Sequence, residues 1–358
     1  VVRDRRRQIV YYRDTVIQVL GVPVFYAPVF WHPDPEAPRQ SGLLAPIVSA
    51  SRIRGVSYEQ PYLHVINPSQ DVIVRLQLNS NAAPFVKLDA RRRFYSGYAE
   101  ARVGYTYERD LDNNGNRIGE RTNRTYILSR GQFAIDDHWR WGFTAERASE
   151  PLVFDKYDVA NVFAERGPYA VDDRRLISQV YASRQDERSY LSAAAMSVQG
   201  LRVNDRNGAL PLIAPLIEAR WEPGAPVVGG RLRLRGSAVV LTRDESPTVP
   251  DTPGVDSARA SVEIDWRRAM TTGAGLRVEP FVLGRGDIYG LRDLPTTGAR
   301  SSTITRGFGV AGVDLTWPFF RQTGGATVIL EPVVQLAFGN RADPDPRLQN
   351  EDSRIFEF

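Results

Sequence analysis

His32, His64 and His138 are the residues best equipped for metal or proton chemistry, and their spacing fits no metal-ligand pattern. Each reads as an ordinary strand or loop residue. The chain holds no Gly-x-x-x-x-Gly-Lys phosphate loop, no Gly-x-Ser-x-Gly elbow and no Ser-x-x-Lys pattern. The acidic pairs Asp136-Asp137 and Asp172-Asp173 fall where turns are expected. Neighbouring strand residues point to opposite faces, so neither pair suits general acid–base work. Asp110-Leu111-Asp112-Asn113-Asn114-Gly115-Asn116 begins like a calcium loop with glycine at its sixth place. Glu120 then arrives one place early and no helical pattern flanks the segment, so Asn114-Gly115 reads as a hairpin turn. Cysteine is absent, which removes disulfides and thiolate metal sites. These residues give no catalytic constellation, no metal site and no cofactor; the expectation is a protein that is not an enzyme.

The elements around these residues carry more information. The 358-residue chain has a net charge of +4, and all but Lys87 and Lys156 of its 46 basic residues are arginine. The basic runs Arg5–Arg7 and Arg91–Arg93 are short and lack the interleaved aromatics of a nucleic-acid platform, so nucleic acid is not an expected partner. A mean hydropathy of -0.33 argues against a bundle of membrane helices. It leaves a membrane β-barrel open, because only alternate strand residues face lipid there. Val1-Val2-Arg3-Asp4-Arg5 is not a signal peptide, so secretion would require one upstream.

Period two dominates from about residue 42 onward. In Arg259–Arg267 the even positions Ala260, Val262, Ile264 and Trp266 are apolar, and the odd positions are all polar. The same alternation runs through Ala99–Glu108, through His138–Glu146, along Val72, Val74, Leu76 and Leu78, and along Val328–Phe338. Such runs are strands with one wet and one greasy side. Thr15–Pro33 lacks charge, but Gly21, Pro23 and Pro28 would break a helix. It reads instead as strands Val16–Leu20 and Val24–Tyr26 with a turn-rich exit through His32-Pro33-Asp34-Pro35. Asn114-Gly115, Asn207-Gly208, Gly229-Gly230 and Asn340 before Asp343-Pro344 mark turns, and Asp244–Asp256 and Gly290–Arg306 read as long polar loops. Aromatics gather near strand ends at Tyr95, Tyr98, Trp139, Trp141, Trp266, Trp317, Phe319 and Phe320, as interfacial girdles would. At about 10 residues per strand plus loop, roughly a dozen strands fit after residue 40. The expected fold is all-β, a transmembrane antiparallel barrel, with a soluble two-sheet sandwich as the alternative.

Specific residues then point to a family. GVPVFYAPVFWHPD at Gly21–Asp34, followed by SGLLAP at Ser41–Pro46, resembles the lipopolysaccharide-assembly family LptD. Gln60-Pro61-Tyr62, Asn67-Pro68-Ser69-Gln70-Asp71, Trp139-Arg140-Trp141-Gly142, Gly286-Asp287-Ile288-Tyr289, Asn350–Ser353 and Phe356–Phe358 fit the same pattern in order and spacing. The resemblance implies that residues 1–31 end a periplasmic β-jelly roll, residues 32–40 link, and residues 41–358 form the first part of an outer-membrane barrel. It implies a fragment, since family members continue to barrel closure. It further implies lipopolysaccharide as cargo, an LptE-like lipoprotein plug, an LptA-like periplasmic bridge and outer-membrane lipid as partners. Pro46, Pro61 and Pro68 match the family's lateral-gate prolines. The family's cysteines have no counterpart here, so disulfide-controlled maturation is not implied. Two other functions compete: an outer-membrane porin or substrate channel, and a soluble β-rich carbohydrate-binding module.

Overall fold

A computed structural model describes residues 2–4, 9–19, 22–33, 40–112, 114, 116–160, 162, 166–170, 174–295, 299–341 and 345–348. Those residues fall into two compact units. The first comprises Val1–Phe133, Phe143–Pro168 and Leu201–Val203. Its strands β1 (Val2–Asp4), β2 (Ile9–Val19) and β3 (Val22–Pro33) form one antiparallel sheet in chain order. Strands β4 (Gly42–Leu43) and β5 (Ile47–Ser51) both pair with β6 (Gly55–Asn67). An antiparallel meander continues through β7 (Gln70–Asn79), β8 (Phe85–Phe94), β9 (Gly97–Leu111) and β10 (Arg117–Ala134). Most of β11 (Trp139–Ala148) and the five-residue helix α1 (Val153–Tyr157) complete the unit.

The second unit comprises Ala134–Gly142, Tyr169–Gly200 and Asn204–Phe358. Its meander runs β12 (Arg175–Gln185), β13 (Ser189–Gly200), β14 (Leu212–Trp221), β15 (Arg231–Thr242) and β16 (Asp256–Arg267). The short β17 (Met270–Thr271) prolongs β16 against β18 (Arg277–Arg292), and β19 (Ser302–Thr316) follows. Beyond it, β20 (Phe319–Thr323) pairs with β21 (Ala326–Leu330), and β22 (Val333–Gly339) returns along β19. Thr316↔Val333 and Phe319↔Leu330 share one register, so β19–β22 is a single hairpin with an interruption. Pro318 and Pro332 stand at that interruption, where neither can donate to the ladder.

Exposure along the strands is inverted relative to a soluble protein. On β7 Val74, Leu76 and Leu78 are exposed, while Asp71 and Gln77 are only 2% and 3% exposed. On β9 Tyr105 and Tyr107 are half exposed, and Thr106 and Glu108 are buried. On β16 Val262 is 59% exposed and Ser261 only 8%. In water such strands would turn their apolar sides toward each other. A soluble sandwich would bury Val74 and Val262 between sheets, so that alternative does not describe these strands. The polar faces are instead held by cross-strand ion pairs, such as Arg306 Nη2 to Asp287 Oδ2 at 2.8 Å.

Several expectations change in detail. The Thr15–Pro33 stretch lies in the β2–β3 hairpin, and no helix among the described residues is long and apolar enough to cross a membrane. His32-Pro33 belongs to β3, paired with Val10 and Ile9, and is not a turn; Asp34-Pro35 lies outside the described residues. Counting β4–β5, β16–β17, β19–β20 and β21–β22 as one pass each, the described residues after residue 40 make fifteen passes, more than the dozen expected. The reason is turn economy: residues 68–69 and 95–96 suffice to reverse the chain. Asn67 Oδ1 accepts from Ser69 N at 3.0 Å, which closes the first of these as an Asx turn. The loop expected at Gly290–Arg306 is cut back at both ends, because cross-strand pairing persists to Leu291↔Ser302. Asn207-Gly208 lies in a 3-10 turn inside the longer connection of residues 201–211. Within each unit, longer connections alternate with shorter ones along the meander, as hairpins with unequal ends require.

Candidate functional site

The ladder between the opening strand and β6 is interrupted. Leu43 faces Tyr62 and Ile47 faces Glu59, so Leu44, Ala45 and Pro46 span the interval that only Gln60 and Pro61 occupy on β6. One extra residue on one strand is a β-bulge, which bends the strand and disrupts pairing locally. Leu44 N donates to Pro61 O at 3.0 Å. In a hydrogen-bonded antiparallel pair the return bond would run from residue 61 N–H to Leu44 O. Proline has no N–H to give. The Gln60 side chain takes its place: Nε2 donates to Leu44 O at 2.9 Å and to Pro61 O at 3.0 Å. Tyr58 OH donates to Gln60 Oε1 at 2.7 Å and fixes the carboxamide. Three residues before Leu44, Ser41 Oγ accepts from Val65 N at 2.8 Å and pins the start of the strand. Pro46 adds no donor to the gap.

The opposite, polar face of the same strands is partly covered by the chain after β11. Helix α1 places Tyr157 flat against Phe85, ring centroids 4.1 Å apart, and Phe154 against Tyr126 at 5.4 Å. Gly104 makes room, since a Cβ there would stand 2.2 Å from the Tyr126 ring. Tyr157 OH donates to Glu108, and burial is the first cause that pushes its phenol up, with that bond second. Lys156 Nζ stands 3.1 Å from Glu108 Oε1, and Lys87 Nζ donates to Glu59 Oε2 at 2.8 Å. Arg102 Nη2 donates to Ala160 O at 2.7 Å. A cavity of about 540 Å³ lies beneath this strap, walled by Arg54, Arg75, Lys87 and Arg102.

Of the sequence-predicted site residues, Pro46 and Pro61 meet at the bulge, whereas Pro68 stands in the β6–β7 turn. His64 is exposed on β6 and His138 pairs with Asp186 at 3.3 Å; the side chain of His32 lies outside the described residues. Asp136 Oδ1 accepts from the N–H groups of His138 and Trp139, and Asp172-Asp173 lies outside the described residues. Asp112 caps its turn, accepting from Asn114 N at 2.9 Å and Asn116 N at 2.8 Å; Asn113 and Gly115 are not among the described residues. Trp139–Gly142 opens β11 and Gly286–Tyr289 lies in β18, while residues 350–358 lie outside the described residues. Sequence reasoning missed Gln60, Arg54 and the strap. A polar residue at a position in the apolar phase of Val56, Tyr58 and Tyr62, directly before a strand proline, was the available signal for Gln60.

Antiparallel strands with an exposed apolar face and a buried, ion-paired polar face define an all-β chain of the outer-membrane type. The family model LptD: LPS transport system D matches residues 122–358, and the chain belongs to that family. It is 26% identical over 159 residues to the LPS-assembly protein LptD of Mannheimia succiniciproducens, a match covering 44% of this chain and 20% of that protein. It is 37% identical over 62 residues to the LPS-assembly protein LptD of Pseudoalteromonas atlantica, covering 17% of this chain and 8% of that one. The matches thus span a fifth or less of those curated relatives. A solved chain described as a bacterial polysaccharide outer membrane secretin aligns at a TM-score of 0.30 and 11% identity, over 80% of this chain and 90% of that one. A likeness so slight carries no argument.

Proposed function

We propose that this chain is part of an outer-membrane exporter that assembles lipopolysaccharide at the cell surface. In this reading residues 1–31 end a periplasmic jelly roll, residues 32–40 link, and residues 41–358 begin a barrel whose polar face lines the lumen. The observation that carries it is the gap at Leu44–Pro46, where one glutamine side chain replaces a missing ladder bond. A seam that must part for a lipid needs strands that pair weakly at a defined point, and paired prolines provide this. Pro46 and Pro61 form the weak point, and Pro68 sets the turn that follows. An LptE-like plug, an LptA-like bridge and outer-membrane lipid are the partners this role requires. The test replaces Pro46 and Pro61 with valine in cells that depend on this protein. Stronger pairing should lower lipopolysaccharide at the surface several-fold; unchanged surface lipopolysaccharide would remove the gate assignment.

A further inference from the structure

Among the described, buried cations of the first unit, Arg54 has the fewest polar partners. It sits in the β5–β6 turn, fixed by Asn81 N donating to its carbonyl oxygen at 3.0 Å. Its side chain is buried, with the residue 4% exposed. Nε and Nη1 are buried without a hydrogen-bond partner. Nη2 reaches only Asp158 Oδ2 at 3.7 Å, a carboxylate whose own side chain is 73% exposed. Other charges on the cavity wall are matched. Arg75 meets Asp89 and lies 3.6 Å from Glu59, Lys87 holds Glu59 at 2.8 Å, Arg91 holds Asp71 at 2.9 Å, and Glu100 is held by Arg130 at 2.9 Å. Arg102 is tied to Ala160 O and stands 3.9 Å from Asp89. A buried guanidinium with open N–H groups is costly unless an anion completes it.

We propose that the cavity of about 540 Å³ under the strap binds a phosphate group, with Arg54 as its anchor. The cations reach it from four separate backbone segments: the β5–β6 turn, β7, β8 and β9. Convergence from several directions suits a tetrahedral oxyanion, whereas a planar carboxylate is satisfied by a single guanidinium fork. The residues at 158–160 form the roof, so bound phosphate would tie Arg54 to the strap. The inference goes beyond the export reading and does not depend on it. The phosphate is either free or carried on a glycolipid, and the experiment separates the two.

The full chain in detergent is titrated calorimetrically with inorganic phosphate, with a phosphorylated glucosamine glycolipid, and with that glycolipid after dephosphorylation. Binding of inorganic phosphate that weakens at least about tenfold in Arg54→Gln, a change of about 1.4 kcal/mol or more, supports the site. Arg54→Lys should keep most of the binding, and Arg52→Gln, in the same turn but exposed, should keep all of it. Binding of the phosphorylated glycolipid alone, again lost in Arg54→Gln, supports the site and assigns the phosphate to a lipid headgroup. No binding of either phosphate compound, or equal affinity in Arg54→Gln, overturns it. Should Arg54→Gln not fold, the unaltered chain decides: inorganic phosphate should raise its unfolding midpoint above that in sulfate of equal ionic strength, or the phosphorylated glycolipid should raise it above that with the dephosphorylated one, and no rise in either comparison overturns the site. Surface lipopolysaccharide in Arg54→Gln cells is read separately, so loss of phosphate binding and loss of export are distinguishable.

Discussion

Gln60 shows how one side chain can hold a strand that its backbone cannot. Its carboxamide meets the Leu44 carbonyl that Pro61 leaves without a donor. Gln60→Ala should therefore destabilise the opening strand by about 1 kcal/mol, the net worth of one hydrogen bond. Restoring a backbone donor with Pro61→Val should make the glutamine redundant, so the cost of Gln60→Ala should largely vanish in that background. Amide exchange at Leu44 and denaturant unfolding in detergent check both statements. Asp136 offers a second test, in the β10–β11 turn. The N–H groups of Trp139 and then His138 hold its carboxyl below the ordinary value of 3.8. A depressed carboxylate contributes stability that is complete above its unfolded value and lost as pH falls through the lowered one. The His138 and Trp139 amides should thus stay protected at about pH 5 and lose protection well below pH 4; Asp136→Ala should abolish that step.

At the scale of elements, the strap after β11 is the feature that most shapes the polar face. Phe154 and Tyr157 are buried against Tyr126 and Phe85, so α1 is held by packing and not by its own length. Phe154→Ala should cost about 3 kcal/mol and expose residues 149–160 to proteolysis; Gly104→Ala, which drives a methyl into the Tyr126 ring, should do the same by displacing the stack. Protease mapping and thermal unfolding measure both. The strands were legible in the sequence because alternation over nine residues, as in Arg259–Arg267, has no helical counterpart. The strap was not, because five residues are too few to show a helical period and its partners lie some seventy residues away in sequence, as Tyr157 O and Lys87 Nζ do. Pro46 and Pro61 were legible as members of a motif. Gln60's part depends on the register between β4–β5 and β6, which alternation alone does not set across a bulge.

For the molecule as a whole, one physical statement governs the rest: the exposed apolar faces touch lipid and the buried polar faces do not. Export, gate and lumen all presuppose it. These 358 residues hold no cysteine, so once any cysteine outside them is replaced an introduced one is unique. Single cysteines at Leu76, Tyr105 and Val262 on one face, and at Gln77, Thr106 and Ser261 on the other, would be spin-labelled in the full-length protein in bilayers. Relaxation by oxygen, which concentrates in lipid, is then compared with relaxation by a water-soluble nickel chelate. The account predicts that oxygen dominates at 76, 105 and 262 and that it does not at 77, 106 and 261. Nickel-dominated relaxation at 76, 105 and 262 would contradict it.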